Sequence, residues 1–391
     1  MFDWVIIGGG IQGITLATFL LKSGKTRIEN MAIIDRHKEP LANWKSNTNV
    51  ISMPFLRSPF VHHLDFNPFS LQSFAKKGDY AHRKAFYGPY KRPSLELFNE
   101  HCDQLIKETS IHDTWIQGNV TLVTKTNLGF QICLKDGKQI HTKKLVLAIG
   151  IGEQLNIPNW AFPLIKENRE NIYHIFDKDI PSLENVKGPI TIIGGGITSA
   201  HLALKLCELF PSQVTLVKRH PFRIHDFDSD PGWLGPKKQE SYHQIKCFKE
   251  RRKEIVAARN KGSIPRDIYM KMKAKINKGL LSVKDMEVES GEKRNKEIFL
   301  FDKDNNLVTR TNTVLLATGY LPSLPEKGWL DPLIESLQLP CSECGYPIVS
   351  EGLQWKQDLY VVGALAELEM GPIARNISGA RQAAERIIKN M

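Results

Sequence analysis

Cysteine is scarce in this 391-residue chain: there are six, and Cys102, Cys133, Cys207 and Cys247 stand far apart. Such a scatter builds no disulfide framework and points to a reducing compartment. No stretch approaches the roughly 18 consecutive apolar residues that a membrane-crossing helix needs. No basic leader with a cleavage site precedes the first strand-like residues. The reading is therefore a cytoplasmic protein with no membrane partner. Only Cys341 and Cys344 stand close together, and a four-ligand site needs a second pair that is not near, so no metal is expected. An RNP-like aromatic motif and a long basic arm are missing too, which argues against a nucleic-acid partner in spite of a formal charge of +11. Much of that excess lies between Lys246 and Lys278, interleaved with Ile255, Val256, Ile268 and Met272 at loosely helical spacing. It reads either as a solvated basic face or as an anion-steering surface. With 41% apolar and 24% charged residues, the composition is that of a globular protein long enough for two domains of roughly 100 to 200 residues each.

What the chain does have is glycine in two telling places. Trp4 to Ile7 is an apolar run, followed by Gly8, Gly9, Gly10, Ile11, Gln12 and Gly13, and then by a helix-like stretch from Ile14 to Lys22. Strand, G-x-G-x-x-G, helix is the dinucleotide fingerprint. Gly8 makes the tight turn, Gly10 lets the backbone approach a pyrophosphate, and Gly13 lets helix and strand pack closely. The helix N-terminus then faces the phosphates with free N–H groups and the positive end of its dipole. A second strand, Met31 to Ile34, ends in Asp35 and Arg36, and the acid stands 22 residues after Gly13 (35 − 13). A carboxylate there accepts from ribose hydroxyls and repels a 2′-phosphate, so the site suits FAD or NAD rather than NADP.

The pattern recurs in mid-chain. Pro189 to Ile193 reads as a buried strand, Gly194, Gly195 and Gly196 follow, and Ile197, Thr198, Ser199 and Ala200 open a helix running to about Leu209. Ser199 replaces the third glycine and is still small enough for close packing. The next strand, Gln213 to Val217, ends in Lys218, Arg219 and His220. Cations at that point suit the 2′-phosphate of NADPH, Arg as a fork and Lys as a point charge; the alternative is that they merely coat a strand end.

Residues 119 to 147 alternate polar and apolar side chains about an Asp136-Gly137 turn and read as a small antiparallel meander. It ends in Leu145 to Gly150, and a near copy, Val314 to Tyr320, follows a strand-rich stretch from Ile298 to Val308. A last strand, Leu359 to Val362, leads through Gly363 to a helix from about Asn376 to Ile388. The expected fold class is α/β: two Rossmann-like dinucleotide-binding domains with small antiparallel meanders, the second inserted in the first. The first domain spans 1–186 and 321–391, the second 187–320.

This order, with Ala317-Thr318-Gly319-Tyr320, resembles the two-dinucleotide-binding-domain flavoproteins, which include glutathione-reductase-like enzymes, flavin-containing monooxygenases and the lysine and ornithine N-hydroxylases. The resemblance implies FAD on the first fingerprint and NADPH on the second. It also implies that Gly150, Thr318, Gly319 and Gly363 line the cofactor sites, Gly363 beside the ribityl chain. The aspartate common after that glycine is Ala364 here. Among branches, a disulfide reductase needs a dithiol on the flavin, and neither Pro40 to Ser58 nor the stretch from Gly196 to Leu206 contains cysteine. Cys341-Ser-Glu-Cys344 reads as an inert loop pair or a redox pair. Met53 to Leu71 is similar to the segment after the FAD fingerprint in lysine and ornithine N-hydroxylases. Arg57 falls where that family carries a lysine near flavin and substrate, and is the candidate catalytic residue; Met53 departs from a glutamine-bearing position. The monooxygenase linker motif survives only in His174. The loop His225 to Lys237 carries Asp226, Asp228 and Asp230, which read as binders of a substrate amine or as turn caps.

The resemblance implies an FAD- and NADPH-dependent monooxygenase that N-hydroxylates a small amine or amino acid by way of a flavin C4a-hydroperoxide. The competing readings are a reductase of a disulfide, quinone or protein acceptor, and a flavin-bearing redox sensor.

Overall fold

Continuous runs of β-branched and leucine residues are the mark of strands covered on both faces, and the two runs that precede the glycines each take an inner place in a parallel sheet. The computed structural model describes residues 1–77, 80, 85–151, 154–167 and 171–391. Phe2–Ile7 pairs in parallel with Met31–Asp35 on one side and Gln139–Leu147 on the other. The first sheet runs Gln354–Lys356, Leu359–Val361, Gln139–Leu147, Phe2–Ile7, Met31–Asp35, Trp115–Gln117. The expected meander is present as Val120–Thr126 and Gly129–Leu134, which joins the sheet by antiparallel pairing with Gln139–Leu147. The return of Leu359–Val361 to Gln139–Leu147 closes the first unit around the second.

The second sheet is all parallel: Leu281–Asp285, Val214–Lys218, Ile190–Ile193, Thr313–Leu316, Ile172–His174. Ser290–Arg294, Glu297–Phe301 and Leu307–Thr311 form an antiparallel sheet beside it. The strand Ile172–His174 pairs with Thr313–Leu316, so this sheet starts ahead of the boundary expected at 187. Three residues are too few for period or length to announce a strand.

The long connection between Val214–Lys218 and Leu281–Asp285 divides its loyalty. Its last helix, Arg266–Asn277, buries Ile268 and Met272 in the second core. Its first two, Pro236–Gln244 and Phe248–Ala258, turn Tyr242 and Ile255 into the first core, together with Trp233. Tyr242 Oη donates to Leu368 O at 2.9 Å, Gln239 Nε2 to Met370 O at 3.1 Å, and Gln382 Nε2 to Leu234 O at 2.9 Å. The basic stretch is thus part strap: Arg251 is buried, bonded to Ile245 O and Leu368 O, while most of its lysines face solvent. Among the described residues no helix is long and apolar enough to cross a membrane.

Trp233 is 2% exposed and meets Tyr242 edge-to-face at 5.4 Å. Trp233→Ala empties that contact, and a loss of about 3–5 kcal/mol is expected in denaturant unfolding. An unchanged unfolding midpoint would show that the strap does not rest on this ring.

Candidate functional site

At the first fingerprint each glycine has a different neighbour. A Cβ on Gly8 (φ +108°) would run into the Ala148 carbonyl, and one on Gly13 into the Gly8 carbonyl. A Cβ on Gly10 would meet nothing within 4 Å, because Gly10 opens on a cavity of about 580 Å3. Gly10 is the N-cap of the helix Ile11–Lys22, which has no side-chain cap, so the helix end offers bare backbone donors. Asp35 braces the turn: Oδ2 accepts the Gly9 N–H at 2.7 Å, and Oδ1 lies 2.8 Å from both the backbone nitrogen and Nδ1 of His37. Beside it Arg36 pairs with Glu326, whose other oxygen accepts from Trp329 Nε1 at 3.1 Å. Gly150 (φ +67°) lines the same cavity. Gly363 (φ +66°) sits against the Gln12 side chain, whose Nε2 donates to Ala374 O and Asn376 O at 3.0 and 3.2 Å.

At the second fingerprint, Gly194 (φ +145°) turns under Ala317, where a Cβ would stand 2.5 Å from the carbonyl oxygen. Ser199 Oγ donates to Gly196 O at 2.7 Å, so the hydroxyl in the third glycine's place is spent inside its own turn. A Cβ on Gly196 would come 3.5 Å from Gly262 Cα, which sets the turn Asn260–Ser263 opposite this cradle. Ile197 reaches the first cavity, and Thr198 follows it on the same helical turn. Thr318 Oγ1 donates to Asn156 O, and Gly319 O accepts the Asn156 N–H at 2.9 Å.

The two expected phosphate cations part company. Lys218 is 3% exposed, paired with Asp285, 3.1 Å from His220 O and 4.3 Å from the Phe222 ring centroid. Its charge is consumed at the strand end. Arg219 points outward, 3.6 Å from Glu287, with 67% of its side chain exposed.

Arg57 lines the first cavity together with Asp228. Nε donates to Asp226 O at 2.9 Å, Nη1 to Asp228 Oδ1 at 2.5 Å, and Nη2 to His225 O, Phe227 O and Ser263 Oγ at 2.5, 2.8 and 2.9 Å. Burial lowers its pKa, with Asp228 pulling the other way. Arg57 thus clasps the acidic loop to the cavity wall. Asp230 Oδ1 accepts the Gly232 N–H at 2.7 Å, as a turn cap does. Across the cavity Phe176 and Tyr320 stack at 5.6 Å with 3° between their planes, and Tyr320 Oη accepts from Asn47 Nδ2 at 3.1 Å. His174 is buried behind them, its Nδ1 accepting the Phe176 N–H at 3.2 Å, and burial drops its pKa to about 4. Cys341 and Cys344 form no disulfide, Cys344 Sγ lying 2.9 Å from Ser342 Oγ, and neither lines this cavity. Sequence pattern gave no sign of Asn47, Phe176, Trp329 or Arg375, all of them in the wall.

The model of the pyridine nucleotide-disulphide oxidoreductases matches residues 2–230, more than half of the chain. The chain belongs to that family. Membership sets the reaction class as oxidoreduction with a pyridine nucleotide. No curated protein matches the sequence. Among solved structures, the ornithine hydroxylase of Pseudomonas aeruginosa is 18% identical with a TM-score of 0.78, covering 100% of this chain and 98% of that one. The cadaverine monooxygenase of Erwinia amylovora, solved with FAD, is 16% identical with a TM-score of 0.73, covering 100% and 94%. The ornithine N-hydroxylase of Kutzneria sp. 744, solved with reduced FAD, NADP+ and L-ornithine, is 13% identical with a TM-score of 0.75, covering 100% and 98%. At these identities the likeness is one of fold, and it extends over the whole length of this oxidoreductase.

The first cradle fits a dinucleotide. Gly8, Gly9 and Gly10 all line the cavity, but only at Gly10 would a Cβ point into open space; at Gly8, Gly9 and Gly13 it would meet Ala148, the Trp115 ring and Gly8. Gly10→Val should therefore fold, since its Cβ has no protein atom within 4 Å, and should lose its flavin, since the branched group projects into the cavity that the diphosphate would occupy. Purified Gly10→Val that keeps the absorbance of a stoichiometric flavin would overturn the assignment.

Proposed function

We propose that this oxidoreductase is an FAD- and NADPH-dependent monooxygenase of the N-hydroxylating type, acting on a small amine or amino acid. One observation carries the reading. A single cavity runs from the Gly8–Gly10 turn to a wall made by Phe176, Ile197, Asp228 and Tyr320, where the second unit meets the first, and no cysteine lines it. A nucleotide cradle opening on a cysteine-free cleft, which the helix of the second cradle reaches through Ile197, suits transfer to oxygen better than transfer to a protein dithiol. The solved structures of like fold are named for ornithine and cadaverine, which supports an amine as substrate.

On this reading residues 1–186 and 321–391 hold FAD, with Asp35 and Arg36 toward the ribose, and 187–320 hold NADPH, with Arg219 for the 2′-phosphate. Bound there, the flavin supplies hydride acceptance from the nicotinamide and delivery of two electrons to oxygen. The chain's own part is to orient and to keep dry. Phe176 and Tyr320 wall the cleft with stacked rings, Asn47 fixes the Tyr320 hydroxyl, and Met53 and Leu56 add apolar surface. Arg57 holds the acidic loop against the opening. Asp226 and Asp230 have no ion-pair partner among the described residues, and on this reading they meet the substrate's ammonium. With Tyr90, Phe227, Trp233 and Glu254 they line a second cavity of about 600 Å3 on the same loop. Six free cysteines suit a reducing cytoplasm.

Aerobic turnover with NADPH against aliphatic diamines and basic amino acids should give hydroxylamine in proportion to NADPH consumed. Peroxide as sole product with every amine tried, or loss of turnover in Cys341→Ser, would replace the reading with an oxidase or a dithiol reductase.

Arg219→Ala should raise KM for NADPH at least tenfold and leave KM for NADH nearly unchanged, a charge-assisted contact with phosphate being worth roughly 1.5–3 kcal/mol. Equal changes for both cofactors would remove Arg219 from the phosphate site.

A further inference from the structure

Glu367 is wholly buried in the short helix Glu367–Met370, just past the Gly363 turn. A carboxylate is tolerated there only with compensating charge, and it has three guanidiniums. Arg252 reaches Oε2 at 2.8 Å, Arg375 reaches Oε2 at 2.6 Å, and Arg259 pairs with Oε1. Three cations on one anion leave two positive charges in excess. Arg252 and Arg259 come from the strap and its end, whereas Arg375 belongs to the first unit and stands in the wall of the flavin cavity.

The three nitrogens of Arg375 are used unequally. Nη2 donates to Glu367 Oε2 at 2.6 Å and to Tyr346 Oη at 2.9 Å. Nε is buried without an acceptor. Nη1 has no acceptor among the described residues, and the side chain, 21% exposed, lines the cavity. The carboxylate two residues further on supplies an internal contrast. Glu369 collects Arg251, His243 and Arg386 at 3.2, 3.3 and 3.4 Å, and none of those three lines the cavity. A carboxylate gathering basic side chains occurs twice in one helix, and only the Glu367 copy includes a residue that lines the cavity, Arg375, with N–H groups still unused.

We propose that Arg375 is a direct ligand of the dinucleotide in this cavity and that Glu367 is the positioning residue that aims it. The inference rests on the reading of the cavity as the FAD site. An unpaired guanidinium N–H pair facing a cleft is a donor for a phosphate or carbonyl oxygen, and a fork anchored at one nitrogen by a carboxylate loses little freedom in making the contact.

The test is titration of the full chain with FAD, read by quenching of flavin fluorescence. Arg375→Met should weaken FAD binding roughly tenfold or more, and Arg375→Lys should recover part of the loss. Glu367→Gln decides the positioning role by its sign. Removing a carboxylate near a diphosphate would by Coulomb's law tighten FAD; if Glu367 acts by aiming Arg375, binding weakens instead, and Glu367→Asp restores it in part. Glu369→Gln should leave the affinity within about twofold of wild type, since its partners Arg251, His243 and Arg386 do not line the cavity. Wild-type affinity in Arg375→Met, or tighter binding in Glu367→Gln, overturns the proposal even if Glu367→Asp folds poorly. Wild-type chain that takes up no FAD brings down the cofactor reading with it, whereas FAD-loaded Arg375→Met of normal affinity brings down this inference alone.

Discussion

A diphosphate can be held by backbone donors only where no side chain stands between it and the helix end, and the architecture is organised around that requirement. A strand must deliver the chain to the turn, the turn must be tight enough to need positive φ, and the helix must pack close enough to need a third bare residue. Gly8 and Gly13 answer to protein neighbours on either side, and Gly10 answers to the cavity. The central sheet exists to hold that turn at its edge: Phe2–Ile7 is locked between two parallel neighbours so that Gly8 arrives under Ala148 and Gly10 arrives at the opening. Asp35, at the end of the adjacent strand, then accepts the Gly9 N–H, so the next strand braces the cradle as well.

The second unit is not left to find its place by surface contact alone. Its longest crossover gives Trp233, Tyr242 and Ile255 to the first core before returning with Arg266–Asn277 to its own. Charge reinforces the seam, since Arg57 binds the acidic loop, Arg92 pairs with Asp267 at 2.8 Å, and Glu367 and Glu369 collect the strap's arginines. A buried ion network of this kind adds less stability than its Coulomb energy suggests, but breaking one partner leaves charge stranded in the interior. Its effect is on geometry: two nucleotide cradles keep one relative position.

The cradles were legible in sequence because their chemistry is local. Six consecutive residues define each, with an acid at the next strand end in the first and cations in the second, and the apolar runs on either side give the strand and helix directly. The side chains that depend on distant partners were not legible. Lys218 and Arg219 look alike as neighbours, yet the strand ends between them: Lys218 is its last residue and pairs with Asp285, 67 residues on, while Arg219 stands in the bend beyond it with its side chain in solvent. Arg57 could be placed near the cleft by resemblance, but its acceptors are mostly backbone carbonyls some 170 residues away, which no side-chain pattern can announce. The strap was hidden for a related reason. Its basic residues mask an inward face that consists of little more than Trp233, Tyr242, Arg251 and Ile255, spread over a 3-10 turn and two short helices.

Those hidden contacts converge on one loop, and the convergence links the two cradles. The turn Asn260–Ser263 faces Gly196, and it is bonded to the acidic loop by Asn260 N to Asp228 O at 2.7 Å and Asn260 Nδ2 to Phe227 O at 3.0 Å. The same loop is held by Arg57 from the first unit, which also reaches Ser263 Oγ at 2.9 Å. The Gly196 turn therefore lies one turn away from Arg57, which lines the first cavity. The connecting path is made of one backbone hydrogen bond and of side-chain bonds from Asn260 and Arg57, most of them to backbone carbonyls of the loop. The turn that faces Gly196 and the guanidinium that lines the first cavity are thus joined through Ser263 and the acidic loop. The acidic loop is the element that touches both, bonded to Asn260 on one side and to Arg57 on the other.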